Sequence, residues 1–197
     1  VKKIMKLIKI LLVPSICLTL FGFKSVIIKK IDTKNSLVKW TGYKVTGQHE
    51  GTITLKKGEL KFDGDSNLIG GVFDMDMTSI NTTDLDGGSK DRLDSHLKND
   101  DFFSVNKYNT ANLVFTKIMF ARNENSYKNY VVDGDLTIKG ITNPISFEIN
   151  IYKNSASADL KIDRTKFNIK YGSASFFDGL KDRAIYDEFD LEVRLKF

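Results

Sequence analysis

The chain has 197 residues, of which 41% are hydrophobic, and this is enough for one domain with a substantial core. The formal net charge is +5, and the five lysines within residues 1–25 account for it. Without them, 25 of the 30 basic residues remain and balance the 25 acidic residues, which excludes a strongly basic surface for nucleic acid.

Residues 1–25 are predicted to be a secretory signal segment. The basic stretch VKKIMKLIK is followed by the apolar run ILLVPSICLTLFGF, which is short for a membrane span. An uncleaved membrane anchor is the alternative, and Pro14 and the short length count against it. Cleavage would leave a domain of residues 26–197 in the periplasm or outside the cell. That domain would lack Cys17 and so contain no disulfide.

Most of residues 26–197 is predicted to form β-strands, because apolar and polar residues alternate. The last stretch is the clearest case, since Phe189, Leu191 and Val193 alternate with charged residues, as in an antiparallel strand with one buried face. The predicted strands lie near residues 37–43, 49–55, 59–62, 73–77, 111–119, 130–138, 145–151, 156–162 and 189–197.

Short turn motifs separate these strands and favour a meander of antiparallel neighbours. The predicted turns lie at residues 57–58, 63–65, 123–126, 140–144 and 153–155. About eight strands, each with one apolar face, fit a closed up-and-down barrel, so the predicted fold class is all-β. A two-sheet sandwich is the alternative.

Residues 84–99 interrupt the meander and are predicted to contain one helix. Leu93 and Leu97 are four residues apart and therefore share a helix face. Lys98 places a cation in the last turn, and Asn99 suits a left-handed cap at which the helix would end. In a barrel, such a helix would cover an open end.

Two phenylalanines follow the helix directly. Phe102 and Phe103 come after two aspartates, a pattern that makes sense if the rings plug an apolar space while the acids stay in water. The sequence therefore predicts that this segment is either a plug or part of a catalytic centre.

The acids around His96 are the candidate catalytic or metal-binding site. Asp94 and His96 would suit an acid/base pair or two metal ligands. However, side chains that are two positions apart on one helix point about 200° away from each other, so those of Asp94 and His96 cannot meet. No nucleophile elbow or phosphate-binding loop accompanies them in the sequence. We therefore predict no catalytic residue, no metal and no cofactor.

Three isolated arginines are predicted to have structural roles. Arg92, Arg164 and Arg183 would each pair with an acid at the rim of the barrel, with Asp163 or Asp182 among the neighbours. Surface pairs of this kind are common and contribute little energy. The alternative is that an arginine binds the headgroup of a ligand.

Several segments resemble the YceI-like family. They are TGYKVTGQHEGTITLKKGEL, DSHLKNDDFFSVNKYNTANLVF, GDLTIKGITNPISFEI and IDRTKFNIKYGSASFF with IYDEFDLEVRL after it. The similarity covers nearly all of residues 26–197, although Asn99, Asn109 and Lys117 depart from the family pattern. The resemblance implies a lipocalin-like barrel of eight antiparallel strands in an exported protein, with an apolar lumen that holds a long isoprenoid or similar lipid.

We therefore predict a non-enzymatic, exported protein that carries or sequesters an isoprenoid-type lipid. Large aromatic side chains and adaptable methionines favour a hollow lumen over a filled one. The residues predicted to bind the ligand are Trp40, Phe62, Phe73, Met75, Met77, Phe102, Phe103, Phe115, Phe147, Ile149, Phe189, Leu191 and Val193.

Two alternatives stay open at this point. One is a metal-dependent or acid/base enzyme that uses His96 and nearby acids, and the other is a stress-related interaction module with a filled barrel. For the favoured function, the expected partners are an isoprenoid or other long apolar lipid and a membrane that donates or accepts it. A homodimer is a further candidate assembly, and nucleic acid is not an expected partner.

Overall fold

A computed structural model describes residues 25–197, so the predicted signal segment, apart from its last residue, lies outside the described residues. Residues 25–197 form nine strands and one α-helix, and none of their helices has the length and apolar character needed to cross a membrane. The strands and the helix are β1 (Ile27–Lys30), β2 (Leu37–Lys44), β3 (Gly47–Phe62), β4 (Leu68–Thr82), α1 (Gly87–Lys98), β5 (Thr110–Asn123), β6 (Lys128–Ile138), β7 (Ile141–Ile151), β8 (Ser155–Asp163) and β9 (Ile185–Lys196).

Eight of the strands close into an antiparallel barrel, which confirms the predicted fold class. Each strand from β3 to β8 pairs with the next one along the chain, and β2 pairs with both β3 and β9 to complete the ring. The short strand β1 is additional, because it pairs with the end of β3 beyond the part that β2 occupies. The barrel therefore has no unpaired strand at its seam.

The two ends of the barrel differ. At one end, which we call the helix end, lie α1, the turn between β6 and β7, and the long connection between β8 and β9. The opposite end carries the hairpin turns that follow β3, β5 and β7. The buried apolar side chains form two clusters, one with Leu97 and Phe102 towards the helix end and one with Leu60 and Tyr130 towards the opposite end.

The predicted turn at residues 57–58 is wrong, because β3 continues through it as one long strand. The pairing of β3 with β4 shifts register between Leu55 and Lys57, which marks an irregularity within the ladder. Gly58 is buried there, and a Cβ atom on it would lie 2.8 Å from the Phe73 ring. The glycine thus marks a close approach inside a strand, where the sequence suggested a turn.

The predicted turn at residues 140–144 is correct only at its first position. Lys139 and Gly140 form the two-residue turn, with φ values of 53° and 73°, and β7 begins immediately afterwards. Pro144 lies inside β7, opposite Asp135 of β6. The missing N–H of a proline is tolerated there because β7 pairs with β8 only over its last three residues.

The helix ends as predicted, but its cap has a different conformation. Asn99 has φ −71° and ψ 166°, so the prediction of a left-handed cap is wrong. The carbonyl groups at the end of α1 are satisfied by the following loop, where Phe103 N–H donates to Leu97 O at 3.1 Å and Val105 N–H donates to Lys98 O at 3.0 Å. Because the loop supplies these donors, no left-handed residue is needed.

Asp94 attaches the helix to the barrel wall. Its Oδ1 accepts hydrogen bonds from Thr82 N at 2.8 Å and from Thr82 Oγ1 at 2.6 Å, and its Oδ2 forms an ion pair with Lys90. Burial by itself would raise the pKa of the Asp94 carboxyl, but the hydrogen bonds from Lys90 and Thr82 outweigh it and lower the pKa. Asp94 is therefore ionised and acts as a structural acceptor.

Asp94→Ala is expected to destabilise the protein by about 1–3 kcal/mol, because it leaves the buried donors of Thr82 without a partner. The lowered pKa means that Asp94 contributes its full stabilisation above about pH 4 and loses it as the pH falls through the folded-state pKa. Denaturant unfolding of both proteins at neutral and acidic pH measures the difference.

Asp91→Ala is the matched control, because Asp91 is an exposed acid on the same helix. Equal stability losses in the two variants, or a difference that persists unchanged in acid, would contradict the structural role of Asp94.

Candidate functional site: an apolar cavity and its mouth

The barrel encloses an apolar cavity with a volume of about 190 Å³. The lumen is therefore hollow, in contrast to the filled barrel of the interaction-module alternative. Many inward-facing side chains, such as Phe147, Leu191 and Val193, are only half-buried although they lie inside the barrel. Since protein interiors are normally close-packed, these side chains have room for a further apolar group beside them.

The cavity wall contains all but one of the predicted ligand-binding residues. The structure places twelve of them on the wall, namely Trp40, Phe73, Met75, Met77, Phe102, Phe103, Phe115, Phe147, Ile149, Phe189, Leu191 and Val193. Whether these side chains contact a lipid stays a prediction. The same period-two pattern also places Leu113, Ala158 and Leu160 on the wall, and their inward positions were readable from the alternation of their strands.

Phe62 is the exception and does not border the cavity. It lies at the end of β3 and packs against Phe197, with 6.1 Å between the ring centroids. The ammonium group of Lys29 lies over both rings. Phe62 faces inward as its alternation predicts, but it belongs to the packed apolar cluster at the opposite end of the barrel.

Phe102 and Phe103 close the cavity at the helix end. Their ring centroids are 5.2 Å apart in an edge-to-face arrangement, and both rings border the cavity beside Leu97 of α1. Phe102 is buried and Phe103 is half-buried. The structure therefore places the two rings where a cover for the lumen would lie.

The cavity reaches the surface where the pairing of β2 with β9 is interrupted. Gly42 pairs with Phe189 and Lys44 pairs with Ile185, so the single residue Tyr43 faces three residues of β9. Such a bulge locally disrupts the ladder.

Four residues at this bulge border the cavity, and we call them the mouth: Gly42, Tyr43, Tyr186 and Glu188. Among the cavity-lining residues in the described part of the chain, Tyr186 and Glu188 alone are exposed. The cavity therefore communicates with the outside between β2 and β9.

Gly42 leaves this mouth open. It lies on the inward face of β2, because it pairs with the cavity-lining residue Phe189. A Cβ atom on Gly42 would have no atom within 4 Å, so the space that a side chain would occupy is empty. Sequence analysis did not identify this residue, since the pattern showed only a glycine within a strand.

Arg164 is a further cavity-lining residue that sequence analysis placed differently. It was expected at the rim beside Asp163, but only 2% of its surface is exposed and it borders the cavity. Asp163 instead caps the short 3₁₀-helix Arg164–Phe167 by accepting a hydrogen bond from Thr165 N at 2.9 Å. The alternation did carry a signal, because Arg164 continues the inward series of Ala158 and Ile162.

Three backbone carbonyl groups and one carboxylate surround the Arg164 guanidinium. Nε donates to Tyr186 O at 3.0 Å, Nη1 to Ile169 O at 2.8 Å and Nη2 to Ile185 O at 3.0 Å. The carboxylate of Asp187 lies 3.6 Å from Nη2. A buried charge is tolerated only with such compensation, so Arg164 fixes the connection after β8 and the start of β9, which form the β9 side of the mouth.

The directions of the pKa shifts of Arg164 and Asp187 are consistent with a contact between two ionised groups. Burial lowers the pKa of the Arg164 guanidinium, and the nearby carboxylates of Asp187 and Asp163 oppose that effect. Burial also disfavours the charged form of Asp187, but the hydroxyl groups of Ser173 and Ser175 and the charge of Arg164 outweigh it and lower the pKa of Asp187.

His96 and the nearby acids, which were the candidate catalytic or metal-binding residues, do not assemble into such a site. The His96 ring lies between the rings of Phe102 and Tyr171, with centroid distances of 5.6 and 4.4 Å. Asp94 is engaged by Thr82, and Asp100 accepts a hydrogen bond from Ser104 at 2.6 Å. Within residues 25–197, no group of three or more histidine, cysteine or acidic side chains is placed to hold a metal ion.

Arg164 does have an acid beside it, Asp187, but the other two arginines form no ion pair with an acid among residues 25–197. Arg92 is exposed, and its Nη2 donates to Ser89 Oγ at 3.0 Å. Arg183 is exposed in the connection between β8 and β9. Neither residue borders the cavity described here.

Comparison with known proteins agrees with this architecture. A family model described as the YceI-like domain matches residues 30–197. A UPF0312 protein of Vibrio parahaemolyticus is 31% identical over 124 residues, which are 60% of this chain and 59% of that protein. A UPF0312 protein of Photorhabdus laumondii is 29% identical over 102 residues, or 47% of this chain and 50% of that protein. The matched segments thus span between half and three fifths of these relatives.

Solved structures show the same fold. BcnA of Burkholderia cenocepacia has a TM-score of 0.67 and 22% identity, with 84% of this chain and 98% of BcnA covered. A polyisoprenoid binding domain from Saccharophagus degradans, implicated in plant cell wall breakdown, has a TM-score of 0.60 and 13% identity, with coverages of 88% and 97%. A YceI protein of Campylobacter jejuni has a TM-score of 0.53 and 17% identity, with coverages of 100% and 92%.

Gly42→Phe is expected to narrow the mouth and slow the entry of apolar molecules, since the ring would fill the open space at this position. The backbone of Gly42 is not in the left-handed region, so a side chain introduces no backbone strain there. The time course of fluorescence after mixing with N-phenylnaphthylamine measures the entry rate.

Thr41→Phe is the control, because it adds the same ring at the adjacent position, which points to the other face of β2. Unchanged entry in Gly42→Phe, with an unfolding midpoint like that of the control, would show that the apolar probe enters elsewhere.

Proposed function

Because the chain belongs to the YceI-like domain family, we propose that it binds a long apolar lipid of the isoprenoid type in its barrel and carries or sequesters that lipid. The observation that carries this proposal is the open apolar cavity inside the barrel. The polyisoprenoid binding domain that shares the fold supports the same class of ligand.

The chemistry of the wall favours an apolar chain as the ligand. The cavity-lining side chains are aliphatic and aromatic, apart from a few polar groups that include Arg164, Asn112 and Glu188. Each methylene group that moves from water into such a lumen contributes about 0.8 kcal/mol. Several isoprene units would therefore offset the cost of ordering a flexible chain.

The shape of the wall favours a branched chain over a rigid ligand. Met75 and Met77 lie on the wall among rings such as those of Phe73 and Phe115. Methionine side chains are unbranched and can repack around irregular partners. A wall that can repack in this way would adapt to the methyl branches of an isoprenoid chain.

A binding function accounts for the cavity better than catalysis does. Asp94 and Asp100 accept structural hydrogen bonds, and the His96 ring packs between two aromatic rings. Arg164 is compensated by the protein's own carbonyl groups and by Asp187. The acids and the arginine have polar partners and His96 is held by ring contacts, so our proposal assigns them no catalytic step.

We also propose that the protein is exported and works in the periplasm or outside the cell. The basic and then apolar character of residues 1–25 supports this location. A long isoprenoid is almost insoluble in water. An exported carrier with an enclosed apolar lumen would shield such a lipid during transfer from a donor to an acceptor membrane.

Ala158→Phe is expected to reduce lipid uptake by about tenfold or more, because its ring would occupy the lumen that the proposed ligand needs. Ala158 is buried and borders the cavity. Lipid that is already bound is first removed from the purified protein with organic solvent. The protein is then incubated with a long-chain polyprenol, and native mass spectrometry shows whether a complex of one lipid per chain forms.

Ser157→Phe is the control, since Ser157 precedes Ala158 in β8 and points to the outer face. The unfolding midpoints of both variants report any effect of overpacking. An unmodified protein that takes up no polyprenol would refute the proposed ligand class, and equal uptake by both variants would refute the lumen as its binding site.

A further inference from the structure

Four exposed aromatic side chains lie on the chain segments beside the mouth of the cavity. Tyr171, Phe176, Phe177 and Tyr186 are each between 47% and 54% exposed, and we call these four residues the aromatic patch. We propose that the protein docks on a lipid bilayer through this patch. The inference rests on the proposed lipid-binding function and adds the surface at which the lipid would be exchanged.

The patch is continuous with the mouth. Tyr186 belongs to both, because it borders the cavity and is exposed. The chain after Tyr171 rests directly on β9, where Ile185 N–H donates to Gly172 O at 2.8 Å. Ile185 also borders the cavity. The chain segments that carry the exposed aromatic rings therefore lie beside the opening of the lumen.

Ordered backbone contacts hold the phenylalanines of the patch at the surface. Ser173 is fully buried, and its carbonyl oxygen accepts hydrogen bonds from Phe176 N at 3.2 Å and Phe177 N at 3.0 Å. Arg164 binds the carbonyl groups of Ile169 and Tyr186, which lie before and after this segment. The segment thus has a defined structure that leaves two phenylalanine rings in water.

The charges around the patch nearly balance. Residues 169–188, which include all four residues of the patch, contain three basic and four acidic side chains. The ammonium group of Lys170 lies 4.6 Å from the centroid of the Phe176 ring. Aromatic rings flanked by lysines are typical of the bilayer interface. Because these charges nearly balance, insertion of the rings should contribute more to docking than attraction to anionic headgroups.

A bilayer is the partner that explains why the patch adjoins the mouth. A long apolar lipid resides in a bilayer and leaves it slowly, because its chain must cross water. If the patch inserts into the interface, the mouth opens towards the bilayer, and the lipid chain can enter the lumen with little exposure to water. The exposed rings would then be buried in the docked state.

A fluorescent label at the patch tests whether this surface meets the bilayer. Ala174→Cys lies within the exposed turn, and Cys17→Ser makes the label unique, since the chain has one cysteine. A nitrobenzoxadiazole label at this position should brighten when vesicles of phosphatidylethanolamine and phosphatidylglycerol are added. The same label at Asp65→Cys, in a turn at the opposite end, should not change.

A double variant tests whether the aromatic rings drive the docking. Phe176→Ser with Phe177→Ser should weaken binding to the same vesicles by about tenfold or more. The matched control is Ile69→Ser with Phe120→Ser, which removes two apolar side chains that are 47% and 57% exposed towards the opposite end. Both proteins keep residues 1–25, so any contribution of that segment to vesicle binding is the same.

The outcomes separate this inference from the proposed function. Docking is refuted if the label at residue 174 does not respond, or if both double variants bind vesicles as the unmodified protein does. Polyprenol offered from detergent micelles needs no docking, so the Phe176→Ser, Phe177→Ser variant should still take it up. If the unmodified protein docks but takes up no polyprenol, the patch binds membranes and the proposed ligand is wrong.

Discussion

The pairing of β2 with β9 closes the barrel, and the apolar lumen depends on this closure. Val38 faces Val193 and Trp40 faces Leu191 across this seam, which joins strands from the two ends of the described chain. Such long-range pairing carries a large loop-closure cost, and the burial of inward side chains all around the ring offsets it. The same seam is interrupted at Tyr43, so the contact that completes the barrel also provides its mouth.

Arg164 holds the segment between β8 and β9 in place beside this seam. Its buried charge requires several acceptors, and it obtains them from Ile169, Ile185 and Tyr186, with the Asp187 carboxylate nearby. One side chain therefore joins the end of β8, the long connection and the start of β9. Together with the hydrogen bond from Ile185 N–H to Gly172 O, this buried cation holds the segment that carries the aromatic patch against the start of β9.

The cavity exists because the two ends of the barrel are closed in different ways. At the opposite end, packed side chains such as Leu60, Phe62 and Tyr130 fill the interior. At the helix end, α1 and the rings of Phe102 and Phe103 cover the interior from outside the ring of strands. An unfilled space between two packed layers forfeits dispersion contacts, and an apolar ligand would restore them.

The alternation of apolar and polar residues by itself determined the all-β class and the inward positions of most wall residues, because strand geometry has a period of two. It favoured a closed barrel over a two-sheet sandwich, and the pairing of β2 with β9 decided for the barrel. Tertiary structure decided whether an inward residue borders the cavity or the packed end, as Phe62 and Phe73 illustrate. It also decided the mouth and the setting of Arg164, since a register shift between β2 and β9 and a buried charge depend on contacts between distant segments. Local sequence carries no record of such contacts, and for that reason Gly42 became recognisable as a site residue only in the folded chain. For Arg164 the alternation indicated an inward position, but not the carbonyl groups that hold the guanidinium.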